Sequence, residues 1–165
     1  MAYLEAIAPP RENGDDCCIF GGCGENRGVT LLNREQLLPG EGAVGRYADL
    51  LKTGRRGDNL TPHHIPSNAF MAAKVPGYTR GMGIAMMMEH PLPGQGGRHR
   101  QTISYGQSPD LSLSPREALA REIRDARSIY WRQGLYTSEI RRRLQDIIQL
   151  NKLAWQGVFE KGENH

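Results

Sequence analysis

The segment LTPHHIPSNAFM, residues 60–71, is the most informative stretch of this sequence for both fold and site. Short apolar runs between glycines follow it as far as Tyr105, and GIAMMM at residues 83–88 predicts a buried strand between Gly81 and Pro91. The methionines of that strand are predicted to fill a core, because flexible thioether side chains pack readily in an apolar interior. The centre of the chain therefore has α+β character.

The N-terminal side of this segment is rich in Gly, Pro, Asn and Asp, which interrupt regular structure. We expect residues 1–42 to form a loop-rich segment, with short strands at most, at residues 18–20 and 29–32. A helix is predicted at residues 43–52, where apolar side chains recur at helical spacing before Gly54. The rest of the chain, residues 43–165, is predicted to form one domain.

The C-terminal third of the sequence predicts two helices. Residues 114–117, SPRE, combine an N-cap serine, a first-turn proline and a capping-box glutamate. This helix is predicted to end at Gly134 and a second to start near Thr137, so that residues 115–160 form an antiparallel helical hairpin. The second helix is predicted to bury its apolar side chains, namely Ile140, Leu144, Ile147, Ile148, Trp155 and Phe159.

Composition excludes several classes of protein. The chain has 165 residues with 21 basic and 18 acidic side chains, a net charge of +3. This length accommodates one domain with its own core. No run approaches the roughly 20 consecutive apolar residues that span a bilayer, which excludes a membrane protein. The N-terminus lacks the basic start and apolar run of a secretory signal, which predicts synthesis in the cytoplasm.

The three cysteines lie close together, as Cys17, Cys18 and Cys23. An odd number in one small cluster does not describe a disulfide framework, so the simpler interpretation is a reduced compartment. The alternative is structural zinc. That site would need a fourth ligand from elsewhere in the chain, because structural zinc is generally held by four protein donors.

His63 and His64 are the first candidates for chemistry. Adjacent side chains of an extended segment point in opposite directions, so one ring can face a metal and the other a substrate only where the backbone bends. Pro62 and Pro66 bracket the pair and favour such a local geometry. Neutral imidazole binds divalent metals and can accept a proton from water near neutral pH. The alternative is a structural pair that only satisfies local hydrogen bonds.

The arginines are the second group of candidates. Arg98 and Arg100 flank His99 at the end of residues 91–100, a Gly- and Pro-rich segment that predicts a flexible connection with a basic tip. Their planar guanidinium groups suit phosphate recognition. Arg124 and Arg142, on the predicted helices, are further candidates for nucleic-acid contact. The alternative is a solvated face balanced by acidic residues, namely Glu117, Glu122, Asp125, Glu139 and Asp146.

Taken together, the block at residues 60–71, the strand GIAMMM, the later block GGRHRQTISYG and the helical tail carry a family resemblance. They resemble the HNH/endonuclease-VII type of nuclease domain found at the C-termini of bacterial polymorphic toxins. The resemblance covers about residues 46–155. It implies a small ββα-metal, treble-clef-like nuclease core, followed here by the C-terminal helical hairpin and preceded by the loop-rich N-terminal segment.

The resemblance also implies an active site. A divalent ion, usually Mg²⁺, with Mn²⁺ or Zn²⁺ as alternatives, would polarise the scissile phosphate while a histidine activates water. Carried over to this sequence, His63 becomes a metal ligand, His64 the general base, and His99 a further ligand or a phosphate-binding group. Asn68 becomes the group that orients the base. The sequence departs from the pattern at Arg98, where similar domains commonly have an acidic residue.

The resulting expectation is a metal-dependent endonuclease that hydrolyses DNA, with RNA as the other possible substrate. The resemblance further implies an antibacterial toxin that a specialised secretion system delivers into the cytoplasm of a target cell. A cognate immunity protein is the expected partner. The alternative function is a non-catalytic module that binds nucleic acid or protein, with structural histidines or structural zinc.

Overall fold

A computed structural model describes residues 36–160 of the chain, and within them it is an α+β fold. The elements in chain order are β1 (Val44–Arg46), α1 (Tyr47–Thr53), β2 (Leu60–His64), α2 (Asn68–Lys74), a 3₁₀ turn (Arg80–Met82), β3 (Ile84–Glu89), a second 3₁₀ turn (His99–Gln101), α3 (Pro115–Arg132) and α4 (Ser138–Ala154). The strands expected at residues 18–20 and 29–32, and the three cysteines, lie outside the described residues.

The three strands form one antiparallel sheet in the order β1-β3-β2. The central strand β3 is buried along its whole length, which confirms the strand predicted from GIAMMM to within one residue. Strand β2 lies at an edge of the sheet. Proline has no backbone N–H to donate, and on the open side of an edge strand no neighbouring strand needs that hydrogen bond from Pro62. The last two residues of β2 pair across the sheet, His63 with Met86 and His64 with Ala85.

The two faces of the sheet pack against different helices. Met86 and Met88 belong to the larger apolar cluster, which includes residues of α3 and α4. Ala85 and Met87 instead pack with Tyr47 and Leu50 of α1. Because successive side chains of a strand alternate between faces, His63 and His64 start from opposite sides of the sheet. The predicted core role is confirmed by burial for Met86, Met87 and Met88, but it is wrong for Met82, which was expected in the core with them and is 45% exposed.

The predicted helix at residues 43–52 begins later than expected. Val44–Arg46 is a strand, and only Tyr47–Thr53 is helical. Val44 pairs with Met86 of β3, so these residues complete the sheet with their backbone groups. The long-range pairing therefore overrides the local apolar stripe, which is the usual outcome when a sheet edge is available.

The two C-terminal helices begin where predicted, but α4 ends at Ala154, before Trp155 and Phe159, which were expected within it. The Ser114 and Glu117 side chains form a reciprocal capping box at the start of α3. Gly134 follows the end of this helix with a φ of +68°, a conformation that favours glycine. The Thr137 hydroxyl oxygen accepts a hydrogen bond from the Ile140 N–H at 3.2 Å and caps α4. In the described part of the chain, neither helix has the length and apolarity that membrane crossing requires.

Candidate active site

An open cleft of about 310 Å³ lies where β2 ends and α2 begins. It brings together four of the predicted site residues, His63, His64, Asn68 and His99. The last of these is 35 positions beyond His64, and only the fold places it beside the pair. The cleft also contains Tyr47 and Arg80, which were not selected from the sequence, and Ser104 and Tyr105, which the sequence left open as either phosphate donors or structural residues.

His64 is held by two neighbours on the α1 side of the sheet. Its ring stacks on Tyr47 with 4.2 Å between the ring centroids. Its Nε2 lies 2.9 Å from the carbonyl oxygen of Arg80, which can only accept, so Nε2 carries the proton and donates. Nδ1 is then the nitrogen with the free lone pair. Burial lowers the pKa of His64, which keeps the ring neutral at physiological pH.

Gly83 leaves the space that this arrangement needs. A Cβ atom at this position would lie 2.2 Å from the Tyr78 hydroxyl and 2.6 Å from Cδ2 of His64. Both distances are well below van der Waals contact, so any other residue would displace one of the two rings. The glycine just before β3 is therefore part of the packing that positions His64.

His63 has a different environment, on the α3 side of the sheet. Its Nε2 lies 4.0 Å from Oε2 of Glu122, and its ring meets the His99 ring with 5.0 Å between centroids. Burial, with smaller contributions from His99 and His64, lowers the pKa of His63 to about 3. Burial also raises the pKa of Glu122 to about 7. Both shifts favour the uncharged forms, so desolvation outweighs the attraction between the two groups.

The Glu122 carboxylate is anchored from both sides of the cleft. It accepts a hydrogen bond from the Ser67 N–H at 2.9 Å and a longer one, at 3.4 Å, from the Ser104 hydroxyl. Ser67 immediately precedes α2, and Ser104 follows the second 3₁₀ turn. Glu122 therefore ties α3 to both segments that carry the candidate site.

His99 belongs to a cluster of rings with His90 and Tyr105. Its Nδ1 lies 3.0 Å from Nδ1 of His90, so one of the two nitrogens donates and the other accepts. The Tyr105 ring meets it edge-on at 5.1 Å. Burial, with smaller contributions from His90 and from Arg100, lowers the pKa of His99 to about 4. The His99 ring is thus neutral and oriented, as a metal ligand or a proton acceptor has to be.

Arg98 does not have the predicted role of a phosphate-binding side chain. It is 1% exposed, and its guanidinium donates to both carboxylate oxygens of Glu41 at 2.5 and 2.6 Å. A second carboxylate, that of Glu89, lies 3.4 Å away, and Gln133 accepts a further hydrogen bond at 2.8 Å. Its donors are consumed by these internal partners. The expected flexible basic tip is instead anchored at Arg98.

Two further observations belong to this network. The Tyr130 hydroxyl also donates to Glu41, at 3.1 Å, although Glu41 falls within the segment 1–42 that the sequence assigned to the loop-rich part. Gly97 lets the chain return to Glu89, because a Cβ there would lie 2.7 Å from the Glu89 carbonyl oxygen. The network thereby fixes the turn that carries His99.

The other predicted nucleic-acid contacts lie apart from the cleft lining. Arg100 donates to the carbonyl oxygens of Gly96 and Pro91, so it closes its own loop. Arg124 donates to the Ala120 carbonyl and lines other hollows of the surface. Arg142 is exposed on α4. The structure does not bring these three side chains together with the histidines.

Asn68 lies at the start of α2 and lines the cleft as expected. Among residues 36–160, however, the hydrogen bond that orients His64 comes from the Arg80 carbonyl and not from Asn68. The orienting role predicted for Asn68 therefore belongs to the backbone of Arg80. The Asn68 side chain still lines the cleft, where its amide is available to a bound molecule.

Two imidazole side chains of the cleft are available as donors to a divalent ion. Within the described range, no three His, Cys, Asp or Glu side chains are grouped as a closed metal site would require. His63 and His99 supply two neutral imidazoles, which are the protonation states that bind metal. Imidazole nitrogen suits Zn²⁺ and similar transition-metal ions, whereas Mg²⁺ prefers oxygen ligands, so this pair of rings fits the Zn²⁺ alternative better than Mg²⁺.

Two residues of the site were missed by the sequence analysis. Glu122 was considered only as part of the alternative, a solvated face, but it lies on the buried side of α3 with Ala118, Leu119, Ala126 and Ile129. An acidic residue at a core position of a capped helix was the available signal, because such a group is buried only with partners. Arg80 had no comparable signal, since its carbonyl oxygen contributes through the backbone.

Comparisons with known proteins do not extend these observations. No protein-family profile matches the sequence, and no curated protein or solved structure matches it.

Proposed function

We propose that this protein is a metal-dependent endonuclease that hydrolyses DNA phosphodiester bonds. One observation carries the proposal: His63, His64 and His99 converge on a single open cleft, in neutral forms and with an exposed arginine at its edge. Neutral imidazoles beside a cation are the groups that phosphodiester hydrolysis requires.

His64 is the general base of the proposed reaction. The Arg80 carbonyl holds the Nε2 proton in place, which leaves the Nδ1 lone pair to accept a proton from water. The resulting hydroxide forms the new P–O bond as the bond to the leaving oxygen breaks. The leaving oxygen takes a proton from solvent to become a hydroxyl group, and His64 returns its proton to solvent. Stacking on Tyr47 limits rotation of the ring, so the base is positioned before substrate arrives.

Arg80 is the phosphate-binding cation in this proposal. Its guanidinium lies 4.8 Å above the centre of the Tyr47 ring, and its Nη2 donates to the Tyr47 hydroxyl at 2.7 Å. These contacts leave the remaining donors for a phosphate oxygen. His63 and His99 would hold a divalent ion, whose charge would polarise the scissile phosphate and stabilise the departing oxygen.

The finer fold assignment, a ββα-metal core, is part of the same proposal. The antiparallel pair β2–β3, with His63 and His64 at the end of β2, is the feature that supports it. The antibacterial role, delivery into a target cell and an immunity partner are supported by the resemblance of the two sequence blocks described above.

A supercoiled-plasmid nicking assay tests the proposal. The wild type is compared with His64→Ala, Arg80→Ala and a control, Arg141→Ala, whose side chain is exposed on α4. Each protein is assayed with Mg²⁺, Mn²⁺, Zn²⁺ or EDTA, and circular dichroism verifies the fold. We expect nicking in the wild type and the control, loss in EDTA, and a fall of about 10²–10⁴-fold in His64→Ala.

Undiminished nicking by folded His64→Ala contradicts the assigned base. If folded wild type nicks neither DNA nor RNA with any metal, the nuclease proposal fails. The non-catalytic binding module then becomes the better interpretation.

A further inference from the structure

A second surface lies on the side of α3 that faces away from Glu122. Arg116, Ala120, Arg124, Arg127 and Trp131 recur at spacings that place them along one line of this helix. We call this line the arginine face, and it extends over about 22 Å. Arg124 and Glu122 are two positions apart, or about 200° around the helix, so the arginine face and the histidine cleft lie on different sides of α3.

A groove of about 680 Å³ runs beside the first half of the arginine face, between α3 and the end of α4. Its floor is apolar, formed by Leu119, Ile123, Ile148, Trp155 and Phe159. Its rim has three cations, Arg116, Arg124 and Lys152, which form no ion pair with residues 36–160, and one carboxylate, that of Glu160. The groove therefore combines an apolar interior with an excess of unpaired positive charge.

The surface continues beyond the groove along the second half of the arginine face. Arg124 borders both the groove and a smaller hollow that Arg127, Ser128 and Trp131 complete. Trp131 is 69% exposed, although tryptophan is usually well covered. The Arg127 guanidinium rests 5.3 Å from the centre of the Tyr136 ring, which holds it in place before any partner binds. Exposed tryptophan and arginine are the residues that most often dominate protein interfaces.

We propose that the groove and the arginine face together bind an acidic amphipathic helix of a partner protein. The apolar floor would receive side chains that recur every three or four residues on the partner helix, and the cations would pair with carboxylates beside them. This proposal is independent of the nuclease function, because none of these residues lines the histidine cleft.

The shape of the surface favours a helix over two other anionic ligands. A small apolar carboxylate would fill the groove and leave Trp131 uncovered. A nucleic-acid strand would use Trp131 and the arginines, since bases stack on exposed aromatic rings, but it would leave the apolar floor of the groove empty. Only a ligand with both a continuous apolar edge and negative charge along its length matches the groove and the arginine face at once.

The test uses a synthetic peptide of about five helical turns, with leucines at helical spacing and glutamates at most other positions. A control peptide has the same composition in an order that removes the spacing. The chain has two tryptophans, Trp131 and Trp155, so a ¹⁵N–¹H spectrum contains two indole signals, which Trp131→Phe assigns. Fluorescence anisotropy gives the dissociation constant.

We expect the helical peptide to shift both indole signals, and the control peptide to bind at least about tenfold more weakly. The double variant Arg124→Glu/Lys152→Glu should bind the helical peptide about tenfold more weakly than the wild type does. Arg141→Glu, at an exposed position of α4 outside the groove lining, should bind this peptide as tightly as the wild type does. Equal binding of both peptides, or shifts confined to Trp131, overturns the proposal. The proposal is also overturned if decanoate or a single-stranded oligonucleotide displaces the helical peptide and shifts the two indole signals more strongly than the peptide does.

Discussion

His63 and His64 are neighbours in the chain, yet they occupy two different chemical environments. His64, on the α1 side of the sheet, has a carbonyl partner for one nitrogen and an aromatic ring beneath it. His63, on the α3 side, lies among ionisable groups, and burial lowers its pKa to about 3. The difference arises because adjacent positions of β2 point to opposite faces of the sheet, while the cleft at its end is open to both.

In the proposed function these two environments serve two roles. A general base needs a fixed tautomer with one free lone pair, and the α1 side fixes the tautomer of His64. A metal ligand needs a neutral ring, and the α3 side keeps His63 neutral beside the His99 ring. The predictions below disturb each side in turn.

The largest effect is expected from Arg98→Ala, which removes the support of the α3 side. The variant leaves the buried Glu41 carboxylate without its cation, and an uncompensated buried charge typically costs about 3–5 kcal/mol. Urea unfolding measures this loss. Arg100→Ala is the matched control. Within residues 36–160 its side chain donates its hydrogen bonds to two loop carbonyls, so its loss should cost under about 1 kcal/mol. Equal losses in the two variants would contradict the structural role of Arg98.

Gly83→Ala disturbs the α1 side and should have the next largest effect. The added Cβ displaces His64 or Tyr78, and overpacking of this kind costs about 2–3 kcal/mol. We expect the His64 ring signals to move in an NMR spectrum while those of His99 change little. Gly81→Ala is the control, since a Cβ there meets Ala48 at 3.4 Å, close to ordinary contact. A folded Gly83→Ala protein of wild-type stability with unmoved His64 signals would refute this packing argument.

The smallest effect is expected from Glu122→Gln, on the α3 side of the sheet, and it changes how stability depends on pH. Because burial raises the pKa of Glu122 from 4.5 to about 7, the folded chain binds this proton more tightly than the unfolded chain. The resulting stability is complete below about pH 4.5 and is lost as the pH rises through 7. Glu122→Gln lacks this dependence. Relative to the wild type, it should gain roughly 1–2 kcal/mol between about pH 5 and pH 8.

Urea unfolding at several pH values checks this result, with the exposed Glu139→Gln as control. The lowered pKa of His63 has the opposite effect on stability. The unfolded chain binds this proton more tightly than the folded chain does, so stability is lost as the pH falls below 6.5. That loss at acidic pH should be present in both the wild type and Glu122→Gln. A stability difference between Glu122→Gln and the wild type that does not change with pH would show that Glu122 is ionised in the folded protein throughout.

Part of the fold and of the site was predictable from the sequence. The capping box at Ser114 and the glycine at Gly134 located α3, and the apolar run before Glu89 located β3. Trp155 and Phe159 were expected within α4 but follow its end at Ala154, and Phe159 is buried there nevertheless. Val44–Arg46 was expected to be helical but is a strand. Its partner strand lies about 40 residues further along the chain, so local sequence patterns do not reveal the pairing.

Local sequence patterns predicted the features that depend on neighbouring residues: the caps, the buried methionine strand and the pair of histidines as a candidate site. The tertiary structure alone decided which distant groups those histidines meet. It placed Glu122 beside His63, the Arg80 carbonyl on His64, and Arg98 inside an ion-pair network instead of on the surface. The physical reason is that caps and periodicity act within a turn or two, whereas the partner of a buried polar group is selected by the packing of the whole fold.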